Sequence, residues 1–240
     1  MGSIPRIGES SSASVEKGAH AVTAEILASI ESLGYAHVKL PLSEESFETI
    51  AESLGSIAFR TDLTITPNRS SIVYKPDEIG FHQDNPTINM IGWYCVQQDE
   101  LDGSGRLLDA GDVAGHFSPE ERTVLGTISV RCPDSDPKRH NPDVGVFAYF
   151  LWPLLVEKAK RCHVYYAPWL LLDSYDEEQS RALEKFAEYL RAKEENQAIS
   201  IRLKKGESLF IDNNRMLHGR GPIQPDSKRF LKRVWIKRDA

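Results

Sequence analysis

Two imidazoles and one carboxylate are split across this chain: His82 and Asp84 stand two positions apart, and His218 follows 134 residues after Asp84. In an extended segment residues i and i+2 share a face, so His82 and Asp84 can reach one ion together while Gln83 points away. One strand cannot surround a metal, so the third donor must come from a distant segment folded alongside it. Two histidines and one carboxylate suit a non-haem Fe(II) gripped on one face with the opposite positions open. The chain must therefore bring two remote segments together on rigid, converging elements.

A lone His-x-Asp is a weak signal, and the surroundings strengthen it. Gly80-Phe81-His82-Gln83-Asp84-Asn85-Pro86 is polar and turn-rich and leads into the apolar run Ile88 to Tyr94. His218 follows the apolar Leu209-Phe210-Ile211 and the polar Asp212-Asn213-Asn214-Arg215, which places it near the mouth of a sheet. The other histidines (His20, His37, His116, His140 and His163) lack a carboxylate at ligand spacing and are read as structural or surface residues.

Periodicity predicts an α+β chain that is mainly β. Apolar positions Val22, Ile26, Leu27, Ile30 and Leu33 recur at helical spacing, with Gly34 as the stop. Tyr35 to Leu40 alternates like a strand, and Ser43 then opens an acidic helix start with Phe47, Ile50 and Leu54 as its stripe. Extended segments are expected at 71–74, 87–96, 106–109, 127–132, 144–150, 162–166, 198–203, 208–211 and 230–237. Helices are expected from the Ser118-Pro119-Glu120-Glu121 start and over 176–193. No repeat or change in composition divides the chain, so residues 19–240 are read as one domain behind a flexible tail, 1–18.

A net charge of −6 supplies no basic field for a polyphosphate backbone, which argues against nucleic acid as a partner. The longest apolar run, 146–156, contains Pro153 and is shorter than the roughly 20 residues of a membrane span. The N-terminus lacks the basic-then-apolar pattern of a secretory signal, and Met1-Gly2-Ser3 has no second feature that would support a lipid anchor. Three widely spaced cysteines, Cys95, Cys132 and Cys162, form no CxxC pair, which fits a reducing cytosol better than a disulfide framework. The expected partner is a small molecule, with no membrane or nucleic acid, and a homo-oligomer is compatible with everything above.

The segment Gly80 to Asn85 resembles the metal-binding rim of the taurine dioxygenase and clavaminate synthase-like enzymes, which are Fe(II)/2-oxoglutarate oxygenases. Phe210 to Arg220, with its aspartate, asparagine and arginine ahead of His218, is similar to their second-histidine segment. Gly103-Ser104-Gly105-Arg106-Leu107-Leu108-Asp109 resembles their glycine-rich stretch, and the likeness runs from about Gly80 to Arg233. It implies a double-stranded β-helix (a jelly-roll, cupin-like core) with flanking helices. It also implies His82, Asp84 and His218 as metal-binding, catalytic residues, with Fe(II), 2-oxoglutarate and O2 as cofactor and cosubstrates. Arg229, eleven residues after His218, would hold the far carboxylate of 2-oxoglutarate through a planar two-pronged donor.

Arg233 shares a strand face with Arg229 and would meet an acidic group of the substrate, with Asn85 and Tyr74 as further polar contacts. The threonine that the family often places in the glycine-rich stretch is absent, since that neighbourhood reads Arg106-Leu107. The implied reaction is oxidation, most simply hydroxylation, of a small carboxylate-bearing metabolite such as a free amino acid, with release of succinate and CO2. Relatives that chlorinate replace the metal-binding carboxylate by a small residue, and Asp84 is present. Desaturation or ring closure by the same cofactors, a zinc hydrolase and a non-catalytic jelly-roll module are the other readings. The hydrolase lacks an evident general base beside the ligands and gives Arg229 no role.

Overall fold

The computed structural model describes residues 12–66, 71–133, 140–141, 146–147, 149–158, 161–196 and 198–238. The first helix, α1 (Ser12–Leu33), begins inside the stretch expected to be a tail. Ala13, Val15, Ala19 and Ala21 extend a helix-forming composition upstream of the apolar stripe, so the helix starts earlier than the stripe alone predicts. Residues 1–11 lie outside the described residues. Strand β1 (Tyr35–Val38) follows, then α2 (Glu44–Leu54), whose N-cap is Ser43 as expected, its side chain accepting from the Ser46 N–H. Helix α2 buries Phe47, Ile50, Ala51 and Leu54.

Next come β2 (Ser56–Thr64), β3 (Ile79–His82), β4 (Met90–Gln97) and β5 (Gly105–Asp109), then helices α3 (Ala110–His116) and α4 (Pro119–Thr127). The Ser118 side chain and Glu121 cap α4 reciprocally in the capping box that the sequence announces. A series of shorter strands follows: β6 (Ser129–Pro133), β7 (His140–Asn141), β8 (Val146–Phe147), β9 (Tyr149–Pro153), β10 (Leu155–Lys158) and β11 (Arg161–Val164). Helix α5 (Glu177–Asn196) precedes β12 (Ile199–Ile201), β13 (Ser208–Asp212), β14 (Met216–Arg220) and β15 (Phe230–Lys237).

Two antiparallel sheets carry the architecture, one in the order β1-β13-β4-β15-β2 and one in the order β12-β5-β14-β3. Their facing sides share one cluster: Leu63, Ile91, Trp93, Leu209, Ile211 and Leu231 from the first sheet meet Leu107, Ile201 and Met216 from the second. The outer side of the first sheet packs Phe210, Val234 and Ile236 against α1 and α2 through Ile26, Ile30 and Phe47. A third cluster joins Phe186 and Leu190 of α5 to Phe81, Leu217 and the residues around β6 and β11. This is the jelly-roll core with flanking helices that the resemblance implies. Strand β4 is covered on both faces, which explains its nearly continuous apolar reading.

The segment expected to be extended at 71–74 instead contains a 3-10 turn, Ile72–Tyr74. The strand expected from Thr87 begins at Met90, because Thr87 is held in a turn whose N–H and hydroxyl both donate to the Asn85 side-chain oxygen. The expected 144–150 strand falls partly outside the described residues, and what is described forms two short pieces, β8 and β9. Strands β2, β3 and β14 and helix α3 go beyond the elements expected from periodicity. No helix among the described residues is long and apolar enough to cross a membrane.

Candidate metal centre and its two cavities

Strands β3 and β14 are neighbours, and their register sets His82 directly opposite His218. The two rings lie 4.2 Å apart, centroid to centroid. Gly219 permits this closeness, since a Cβ there would stand 2.7 Å from the Ile79 carbonyl oxygen. After His82 the strand ends, and the Gln83 N–H donates to the Tyr166 carbonyl at 2.8 Å, turning the chain. Asp84 then reaches back so that its Oδ1 lies 3.8 Å from Nε2 of both His82 and His218. Among the described residues these are the one group whose ligand atoms gather, all within 4.8 Å of one another.

The protonation states suit a divalent metal. Nδ1 of His82 donates to the Gly80 carbonyl at 2.9 Å, which fixes the tautomer and leaves the Nε2 lone pair facing Asp84. Nδ1 of His218 has no hydrogen-bond partner. Burial lowers the pKa of His82, and burial with the neighbouring His82 lowers that of His218 to about 3. Burial alone would raise the Asp84 carboxyl, but the Arg233 guanidinium above all outweighs it and holds Asp84 below its ordinary value. Two neutral imidazoles and one carboxylate are the forms a metal ion takes as ligands.

The second oxygen of Asp84 is already engaged. Oδ2 accepts from Nη1 of Arg233 at 2.9 Å and from Nε1 of Trp235 at 2.8 Å, so one oxygen faces the imidazoles and the other is tied to β15. Outer partners of this kind orient a metal ligand. Trp169 meets the His82 ring edge-on at 4.9 Å, and Trp93 meets His218 likewise at 5.2 Å.

A narrow slot of about 80 Å³ leads from His82 and His218, between the sheets, to Arg229 and Arg220. Its walls are aliphatic, with Leu107, Ile201, Leu209 and Leu231 among them, and no Asp or Glu lines it among the described residues. Nε of Arg229 donates to the Gln98 side-chain oxygen at 3.1 Å. Gly103, at φ +83°, leaves room for that pair, since a Cβ there would meet Gln98 at 2.5 Å and Arg229 at 3.1 Å. Burial, then the nearby Arg220, pushes the Arg229 pKa down to about 10. Arg220 donates through Nη2 to the carbonyls of Lys75 at 2.9 Å and Asp77 at 2.6 Å, and its buried Nη1 has no partner among the described residues. Two adjacent guanidiniums, one orphaned donor and no acid in the wall fit a dicarboxylate. Arg106, where the family often has its threonine nearby, is taken up by Glu78 and by Glu194, the latter at 3.1 Å.

On the other side of Asp84 lies a chamber of about 440 Å³, lined by Phe59, Tyr74, Tyr165, Trp169, Leu170 and Trp235 among others. Tyr74 is in its wall, carried by the 3-10 turn. Arg233 borders both cavities, but one arm is spent on Asp84, which the sequence does not foretell. Asn85, expected to contact substrate, lines the chamber and also ties its own turn. Its Nδ2 donates to the Pro133 carbonyl at 2.9 Å, and its Oδ1 accepts from both Thr87 donors. Strand alternation places Trp235 on the face of Arg229 and Arg233 but carries no sign of its bond to Asp84. Gln98 and Trp169 come from irregular segments and leave no periodic signal.

Among the remaining histidines, Nε2 of His37 pairs with Glu207 at 2.9 Å, His116 stacks on Tyr189, and Nδ1 of His163 bonds the Asn214 carbonyl.

Residues 12–235 match the family model described as "Taurine catabolism dioxygenase TauD, TfdA family". No curated protein matches the chain. Among solved structures, an asparagine oxygenase in complex with Fe(II), 2S,3S-3-hydroxyasparagine and succinate aligns with TM-score 0.71 and 15% identity, covering 93% of this chain and 82% of that one. The non-heme iron oxygenase OrfP in complex with Fe and alpha-ketoglutaric acid aligns with TM-score 0.66 and 16% identity, over 93% of this chain and 80% of that one. OrfP with Fe, succinate and (3R,4R)-dihydroxy-L-Arg gives 0.67 and 17%, over 93% and 81%. At these identities the likeness establishes the fold.

Proposed function

The chain belongs to the TauD/TfdA family and is an Fe(II)/2-oxoglutarate-dependent dioxygenase, and on that premise we propose that it hydroxylates a small carboxylate-bearing metabolite, a free amino acid or a close derivative. The observation that carries this reading is the position of His82, Asp84 and His218 at the junction of two cavities, one ending in two arginines and one open enough for a substrate. His82 and His218 through Nε2, and Asp84 through Oδ1, are the groups that would hold the iron. With 2-oxoglutarate and O2, that iron supplies the oxidation of a C–H bond to C–OH, with succinate and CO2 as the other products.

The chain's own contributions are orientation and charge. Arg229 anchors the far carboxylate of 2-oxoglutarate at the end of the slot, and Arg220 adds a second positive charge there. The aliphatic walls exclude water around that ion pair, which strengthens it. Trp235 and Arg233 fix the Asp84 carboxylate so that one oxygen is always presented to the imidazoles. The remaining donors of Arg233 face an acidic group of the substrate, and Tyr74 lines its path. Holding the reacting carbon in one orientation beside the metal is the main service the chamber performs. Because Asp84 occupies its ligand position, we propose oxygenation and not chlorination. The asparagine and arginine products bound to the similar structures support an amino acid as the substrate class. Three free thiols fit a cytosolic protein acting on dissolved metabolites.

The test is succinate release from 2-oxoglutarate under air, with stoichiometric Fe(II), across the free amino acids and their simple derivatives. A substrate-dependent rise in succinate, matched by a product heavier by one oxygen atom, is expected. Succinate formation indifferent to every carboxylate-bearing compound would overturn the substrate reading, and iron-independent hydrolysis would overturn the reaction.

A further inference from the structure

Resting on the reading that the larger chamber receives an acid, we propose that the substrate's body is uncharged and apolar, and that Gln83 and Thr61 complete the grip on its acid group beside Arg233. Among the described lining residues Asp84 and Arg233 alone carry charge, and they are paired with each other at 2.9 Å. The free oxygen of Asp84 faces the imidazoles. Among the described residues, a guanidinium or ammonium on the substrate's side chain would therefore find no free carboxylate to meet it, which is costly in a buried site.

The walls point the same way. Phe59 is 47% exposed and Trp169 43%, the large apolar side chains that the chamber leaves uncovered. Phe59 packs on Trp235 at 5.4 Å, and Trp169 rests on His82, so an apolar group entering here would be sandwiched beside the metal ligands. Covering such surfaces with another apolar group is favourable, and burying an amide against them without a hydrogen-bond partner is not.

An acid group finds a different reception. Nε of Arg233, Oγ1 of Thr61 and Nε2 of Gln83 are all buried and without a hydrogen-bond partner among the described residues, and all three residues line this chamber. Thr61 of β2 is the register partner of Arg233 on β15, so the two side chains leave the sheet on the same face. Gln83 immediately precedes Asp84, to which Arg233 is anchored, and it lines the same chamber as the other two. Three unsatisfied donors on residues of one chamber are partners that a carboxylate, with up to four acceptor positions, would satisfy. Gln83 is thus turned from the metal, as its place between two ligands requires, but toward the substrate.

The experiment measures substrate-stimulated succinate release by the iron-loaded full chain with phenylalanine, leucine, asparagine, arginine and the methyl esters of the first two. Phenylalanine or leucine should stimulate at least tenfold more than asparagine or arginine, and esterification should raise the substrate KM at least tenfold. Gln83→Leu and Thr61→Val should each raise the substrate KM about tenfold while the 2-oxoglutarate KM moves less than twofold, and Thr61→Ser should restore the parent value. Thermal unfolding of each variant separates loss of grip from loss of fold. Preference for arginine or asparagine, or an unchanged substrate KM in both variants, would overturn this proposal while leaving the oxygenase reading intact. Silence of all the acids despite bound iron and 2-oxoglutarate would overturn both.

Discussion

The slot ending at Arg229 has a volume of about 80 Å³ and is walled mainly by strands of both sheets, whereas the chamber beside Asp84 has about 440 Å³ and takes much of its wall from turns and loops. The slot has an excess of guanidiniums and aliphatic sides. Among the described residues, the chamber has one internally paired acid and base and aromatic sides. A ligand that never changes between relatives can be matched by a rigid, close-fitting and oppositely charged slot. A ligand that does change is better served by irregular segments, which can vary without disturbing the sheets. His82 and Asp84 look toward different sides of this division, His82 lining the slot and Asp84 the chamber, and Arg233 touches both.

The largest effect should come from the junction itself, where both cavities fail together. His218→Ala removes one donor and a wall of the slot, so bound iron and turnover should both fall below detection while circular dichroism stays that of the parent. Normal iron content in this variant would sink the assignment of the triad. Arg229→Ala tests the slot alone. It leaves a carboxylate to be buried without its partner, at a cost on the order of 2–5 kcal/mol, and the KM for 2-oxoglutarate should rise at least tenfold. The substrate KM should be nearly untouched, and equal movement of the two constants would erase the distinction between the cavities.

Arg233→Met probes the border. Since Arg233 holds Oδ2 of Asp84, its loss should weaken iron binding by about 10–100-fold as well as raising the substrate KM. Iron titration separates those two consequences, and Trp235→Phe, which removes the other bond to Oδ2, should reproduce a smaller part of the iron effect alone. Asn85→Ala is the contrasting change within the chamber wall. Its amide ties the turn before β4 to Pro133, so stability should drop by about 1–3 kcal/mol. The substrate KM should hold, and a selective rise in it without loss of stability would return Asn85 to the binding site.

The same division explains what is legible in the sequence. Slot residues ride on strands, where a period of two is enough to place Arg229, Leu231, Arg233 and Trp235 on one face. The convergence of His82 and His218 is legible as a requirement, because three ligands on two remote segments have no other use for one another. Its means, a direct register pairing of β3 with β14, is not, because β3 is a mere Ile79–His82 and β14 a mere Met216–Arg220. Chamber residues such as Trp169 and Thr61 come together through turns and cross-strand pairing, for which spacing along the chain gives no cue. Asn85 is half legible for a related reason. Adjacency to a ligand suggests its place in the chamber wall, while the local turn that engages its amide has no signal in the spacing.

The smallest effect, and the sharpest test of why the slot is so positive, should come from Arg220. Its Nη2 is committed to the carbonyls of Lys75 and Asp77, while its charge, together with burial, depresses the Arg229 pKa. Without cosubstrate the two guanidiniums repel across a wall that holds no acid among the described residues, and a dicarboxylate relieves both at once. Arg220→Met removes that repulsion from the empty slot and an attraction from the filled one, so both changes act to weaken binding. The 2-oxoglutarate KM should rise about threefold, equivalent to about 0.6 kcal/mol, and its dependence on ionic strength should flatten. Arg220→Lys keeps the charge and loses the fork that meets the two carbonyls. If charge is what the slot requires, lysine should bring the KM back to within twofold of the parent. If lysine behaves like methionine, Arg220 acts by bracing Lys75 and Asp77, and the slot's selectivity rests on Arg229 alone.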